Sequence, residues 1–93
     1  MQQPAIETLT KDGRFEGFLL VRASEQRTGS NGGKYLDLTL ADRTGELNSK
    51  LWDGTVPPPK PGSVIKVRGV TLEYNGRLQL RIEKLRALED GDI

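Results

Sequence analysis

The chain has 93 residues, 34% hydrophobic and 29% charged, with no cysteine, no histidine and a formal net charge of +1. A chain of this size forms one domain with a thin core, burying about 60 to 65% of the surface its unfolded form exposes. The missing residue types exclude a disulfide framework, a thiolate metal site and histidine-based general-base chemistry.

No apolar run approaches the roughly 18 residues of a membrane span, and "MQQPAIETLTKDG" at the start lacks the basic and apolar regions of a signal peptide. The chain therefore reads as cytoplasmic. Its charge is unevenly placed: Glu89, Asp90 and Asp92 stand at the C-terminus, and the body before them holds 14 bases against 10 acids, a net +4. "EDGDI", 89–93, reads as an acidic tail or the start of a linker, which leaves 1–88 as the domain.

In chain order, a short leader precedes "FEGFLLVRAS", 15–24, whose β-branched and aromatic content without helical periodicity predicts the first strand. "EQRTGSNGGK", 25–34, is polar and glycine-rich and predicts a projecting flexible loop of about ten residues. Strands two and three, 35–41 and 46–52, alternate apolar and polar residues around "DRTG". In this turn Asp42 can bond the turn backbone and Gly45 can take a positive φ. With Ala41 opposite Glu46, Leu36, Leu38, Leu40, Leu47 and Leu51 share the inner face. The same register pairs Thr39 with Asn48, Asp37 with Lys50, and Tyr35 with Trp52 on the outer face. A one-residue slip would turn every leucine outward, so burial enforces this register.

"DGTVPPPKPGS", 53–63, is a proline-held connector. Strand four, "VIKVRGVTLEY", changes apolar parity at Gly69, from Ile65 and Val67 to Val70 and Leu72, which predicts a bulge or bend there. "NG" at 75–76 is a strong hairpin signal, and "RLQLRIEKL" follows as strand five with Leu78, Leu80 and Ile82 inward. The expected fold is all-β: a small, partly open, five-stranded antiparallel Greek-key barrel.

The stretch "GFLLVRASEQRTGSNGGKYLDLTLADRTGELNSKLWD" with "GSVIKVRGVTLEYNGRLQLRI" resembles the N-terminal OB-fold domain of bacterial 3′-5′ exoribonucleases whose catalytic part is a C-terminal HD domain. The resemblance covers about residues 6–88, and its specific parts are "LADRTGELNSKLWD" and the late "Y-NG-LQL". More distantly, the chain is similar to the anticodon-binding OB domains of aminoacyl-tRNA synthetases. The resemblance implies single-stranded RNA or DNA binding in the service of an HD nuclease domain in cis. The metal-holding histidines of that chemistry are absent from this chain, so a divalent metal is expected only in the catalytic part. The chain itself is expected to be non-enzymatic, with no cofactor of its own.

An OB barrel binds an extended strand across strands two and three, walled by the loop after strand one and the loop between strands four and five. Flat rings serve bases and cations serve phosphates. Tyr35 and Trp52 are the candidate stacking platforms, each able to carry one base at about 1 to 3 kcal/mol. Alternatively, Trp52 packs as a lid under "TVPPPK". Lys50 stands either as a phosphate or base contact or as a surface ion pair with Asp37. Arg27 and Lys34 in the first loop, and Tyr74 and Arg77 beside the "NG" turn, would close over a strand. Arg22 has an ambiguous facing, and Asn48 and Thr39 offer hydrogen bonds to bases. Two rings and modest charge predict weak, largely sequence-independent binding, about micromolar or poorer, with a log–log salt slope near about −2. A protein- or oligosaccharide-binding module is the main alternative, followed by a structural docking role. A carboxylate-based nuclease using Asp37, Asp42, Glu46 and Arg43 is a further one.

Overall fold

A computed structural model describes residues 3–88; the acidic segment 89–93 lies outside the described residues. Strands β1 (Arg14–Thr28), β2 (Lys34–Asp42), β3 (Gly45–Leu51), β4 (Val64–Tyr74) and β5 (Arg77–Ala87) close into a barrel in the order β1-β2-β3-β5-β4. Every ladder is antiparallel except the short parallel seam between β3 and β5, where Asn48, Ser49 and Lys50 face Gln79, Leu80 and Arg81. That seam closes a barrel the alternation alone predicts as partly open.

The central hairpin has the expected register: Leu36 faces Leu51, Asp37 faces Lys50, Thr39 faces Asn48 and Ala41 faces Glu46. Leu36, Leu38, Leu40, Leu47 and Leu51 are all buried, and they meet Phe15, Leu19, Val21, Ile65, Val67, Leu80 and Ile82 inside the barrel. Deep burial of this one face makes any other register costly. The "DRTG" turn depends on Asp42, whose Oδ1 accepts from the Thr44 and Gly45 backbone amides at 2.7 and 3.2 Å. Gly45 does not take the positive φ expected of it; the Asp42 carboxylate sets the turn without it.

Asp42 also has a role the local pattern does not reveal. Its Oδ2 accepts the Ile6 amide at 2.8 Å, fixing the 3₁₀ turn Ile6–Thr8 over one end of the barrel, where the Ile6 side chain is buried. The leader is thus part of the core. Partial burial raises the Asp42 pKa, but hydrogen bonds from the Thr44 hydroxyl and from the Ile6, Thr44 and Gly45 amides outweigh it and hold the carboxyl below its ordinary 3.8.

Two further expectations change. β1 runs on to Thr28 and β2 begins at Lys34, so only 29–33 form a loop, and it is tied by Gly29 and Gly33 backbone bonds and by the Asn31 side chain accepting from the Gly33 amide. Polar composition predicts a long flexible loop, but residues 25–28 extend β1 by pairing with 34–37 of β2, from Glu25↔Asp37 to Thr28↔Lys34. In β4 the inward phase does not switch at Gly69. Ile65, Val67 and Thr71 are all buried, whereas Val70 and Leu72 are half-buried. Thr71 takes the inner position because its hydroxyl accepts the Gly13 amide and donates to the Thr10 carbonyl, stitching the leader to β4.

The bulge predicted at Gly69 exists, but its extra residue sits on the partner. Arg68 pairs with Lys84 and Gly69 with Ile82, leaving Glu83 unpaired in β5. A Cβ at position 69 would collide with the Arg81 carbonyl, so glycine is required by close backbone approach. β1 has its own bulge at Arg22, between the pairs Val21↔Leu40 and Ala23↔Thr39.

Gly69→Ala should therefore destabilise the barrel by about 3 kcal/mol, lowering the melting temperature by roughly 12 to 24 °C; a melt within a few degrees of wild type would refute the close approach. Asp42→Ala should cost about 1.5 to 3 kcal/mol at neutral pH through its lost charged hydrogen bonds. Because the folded pKa lies below the unfolded one, this contribution is present above about pH 4 and fades as pH falls through the lowered folded value. Denaturant titrations of the two proteins should accordingly converge in stability at low pH.

Candidate nucleic-acid interface

The outer face of the hairpin carries the alternate residues that the buried leucines leave outside. Trp52, just past β3, is 54% exposed and is not sealed beneath the proline connector. Its ring stacks on Tyr35, with centroids 4.3 Å apart and planes inclined at 29°. The two rings therefore do not serve as separate platforms: Tyr35 backs the indole and fixes its tilt. The indole edge also rests on the turn after β1, where a Cβ at Gly29 would lie 3.1 Å from two of its ring atoms.

Lys50 makes no ion pair with Asp37. Its Nζ lies 5.9 Å from the Tyr35 ring centroid, within cation–π range. Asp37 is instead held by Arg27, whose Nε donates at 2.9 Å, and by the Asn48 amide, which donates at 3.0 Å. Lys50 thus has no carboxylate partner among the described residues, while Arg27, also bound to Glu25 at 2.8 Å, has two. Being on β1 rather than on a free loop, Arg27 has its guanidinium held on the barrel's own acids.

The seam between β3 and β5 sets Arg81 beside Lys50. Together with Trp52, Tyr74, Leu72 and Gln79 they line an open groove of about 350 Å³. Tyr74 is 61% exposed at its rim. Like charges placed directly opposite on neighbouring strands are unfavourable by themselves, and a phosphate between Lys50 and Arg81 would relieve this repulsion. Arg77 and Asn48 line an adjoining groove that also includes Gln79.

The remaining candidates lie elsewhere. Lys34 begins β2, with its Cβ packed near Gly54 of the connector. Arg22, at the β1 bulge, faces out and lies 3.7 Å from Glu46. Sequence reasoning missed Arg81 and Gln79. They lie on the outward phase of β5, opposite the inward Leu78, Leu80 and Ile82, but only the β3–β5 seam, which joins distant parts of the chain, brings them beside Lys50.

The carboxylates considered for a nuclease centre all have other partners. Asp42 holds the turn and the leader, Asp37 is bound by Arg27 and Asn48, and Glu46 faces Arg22. At the start of the connector, hydrogen bonds from the Thr55 hydroxyl and amide lower the Asp53 pKa and set a local turn. No helix among the described residues is long and apolar enough to cross a membrane.

A closed five-stranded barrel with an open aromatic and basic groove at its third strand is the architecture of an OB fold. Residues 19–88 match the family described as OB-fold nucleic acid binding domain, and the chain belongs to that family. It is similar to a 3′-5′ exoribonuclease YhaM from Oceanobacillus iheyensis, 38% identical over 81 residues that cover 84% of this chain and 26% of the relative. A 3′-5′ exoribonuclease YhaM from Geobacillus sp. is 36% identical over 78 residues, covering 81% of this chain and 24% of the relative. The chain thus spans about a quarter of the length of these curated relatives. Its fold is that of the second OB-fold domain of replication protein A from Methanococcus maripaludis, with a TM-score of 0.75 at 20% identity, covering 94% of this chain and 95% of that one.

If Tyr35 holds the indole, Tyr35→Ala should red-shift Trp52 emission and raise its quenching by acrylamide while the fold is kept. Unchanged tryptophan spectra would show that the stack does not set the ring's exposure.

Proposed function

We propose that this OB domain holds single-stranded nucleic acid across β3 and β5, with one base stacked on the open face of Trp52 and phosphates at Lys50 and Arg81. The observation that carries this reading is the exposed indole, backed by Tyr35, in one groove with two cations that have no carboxylate partner among the described residues. Tyr74 and Arg77 guard the β4–β5 side. Asn48 and Gln79 offer polar contacts to base edges. Arg27 and Arg22, already in ion pairs, add mainly long-range attraction.

One stacking platform supplies about 1 to 3 kcal/mol. With about three phosphates neutralised, the salt slope should be near −2, at about −0.7 per phosphate. Binding is then weak, about micromolar or poorer, and largely independent of sequence. A weak module of this kind works by effective concentration when joined to a second site. We therefore read it as the substrate-holding part of a 3′-5′ exoribonuclease, with an HD-type, divalent-metal catalytic domain following in cis and acting in the cytoplasm. This is supported by the identity to exoribonucleases more than three times its length. The chain itself has no catalytic role in this reading.

Adding a short oligo-U or oligo-dT at low salt should quench the emission of Trp52, the chain's single tryptophan. Trp52→Ala should weaken binding by about 1 to 3 kcal/mol, and Lys50→Ala should reduce the salt slope by about 0.7. An unquenched spectrum with both oligomers would refute the stacking site and favour a protein- or oligosaccharide-binding module.

A further inference from the structure

The bulge at Glu83 has a consequence for charge. Before it, the outward residues of β5 include Arg77 and Arg81; the extra residue shifts the phase, so that Lys84 and Arg86 line an outer groove of about 190 Å³ with Lys66 and Arg68 of β4. The register places Lys66 opposite Arg86 and Arg68 opposite Lys84, two consecutive cross-strand pairs of like charge. Such pairs destabilise a sheet. Glu83 lies between Arg68 at 3.8 Å and Arg14 at 3.9 Å, and Glu16 also lines the groove. Lys66 lies over the Phe18 ring at 5.6 Å, and neither Lys66 nor Lys84 has a carboxylate partner among the described residues.

We propose that this β1–β4–β5 face is a second phosphate-binding surface, occupied when a strand is long enough to leave the Trp52 groove and continue along β5. The inference rests on the nucleic-acid reading above and extends it to a different face. Continuity supports it: Arg81 lines the first groove and Arg86 the second, about 16 Å apart along the same strand at about 3.3 Å per residue. The chemistry of the face supports it as well. A protein partner needs a buried apolar anchor, and the exposed large hydrophobics among the described residues are Trp52, Tyr74 and Leu88, of which the first two belong to the front groove. The paired cations around this groove match the negative charge of a phosphodiester backbone.

The test is a salt series with fluorescein-labelled oligo-U of about 5 and about 15 nucleotides, near the two ends of the range one OB barrel covers, on wild type and on Lys66→Gln/Lys84→Gln. The variant should bind the longer oligomer about five- to tenfold more weakly, with a salt slope reduced by about 1.4, or about 0.7 for each of two phosphates. Its affinity for the short oligomer and its Trp52 quenching should match wild type. Thermal melts verify folding, and Lys66→Gln/Lys84→Arg, which keeps one of the two charges, should restore about half of the lost salt slope. Unchanged binding of the longer oligomer, or an equal loss for both lengths, overturns the second surface. So does poly-glutamate binding that the double variant abolishes while leaving the longer oligomer unaffected, since the face would then belong to an acidic polypeptide. Failure of the front site reads out separately, as absent tryptophan quenching with either length.

Discussion

The two-residue period of the β2–β3 hairpin ties the inside of this barrel to its outside. Each leucine that enters the core sends its neighbours to the surface, so Tyr35, Asp37, Thr39, Asn48 and Lys50 are placed by the burial of Leu36, Leu38, Leu40, Leu47 and Leu51. The binding face needs little stabilising interaction of its own, because moving it by one residue would turn the apolar face into water. The same constraint carries the chain past Leu51 with Trp52 facing Tyr35, and the ring stack follows from the register.

The hairpin, the connector, the "NG" turn and the strand count were legible because each depends on neighbours within a few residues. Asn75 and Gly76 both take the positive φ that a tight two-residue hairpin requires. The misread parts depend on distant partners. Thr71 is buried because it bonds the leader, and β5 rather than β4 carries the bulge residue at Gly69. Arg27 looked like a free loop cation until the strands around it paired and brought Asp37 within 2.9 Å. Arg81 was invisible as a site residue because its neighbour Lys50 lies across a parallel seam between strands distant in sequence. Of the candidate residues, Trp52, Lys50 and Tyr74 gather in one groove, while Arg22, Arg27 and Lys34 lie apart from it.

Charge on this barrel is sorted by partnership more than by count. Arg22 and Arg27 are matched to Glu46, Glu25 and Asp37, which leaves Lys50 and Arg81 as the cations of the front groove. A net charge near neutrality thus coexists with a local concentration of positive charge at the front groove. The Asp42 carboxylate serves a separate purpose, since its hydrogen bonds join the β2–β3 turn to the leader and give the barrel its lower plug.

Beyond Leu36 the β1–β2 ribbon runs without a third strand among the described residues, and a two-stranded ribbon by itself is marginal in water. Its tip still has a clasp, because Gly29 sits directly against the edge of the indole. One ring therefore pins a lever on one side and meets solvent on the other. The exposure of that aromatic plane and the anchoring of the hairpin tip are thus two sides of a single contact.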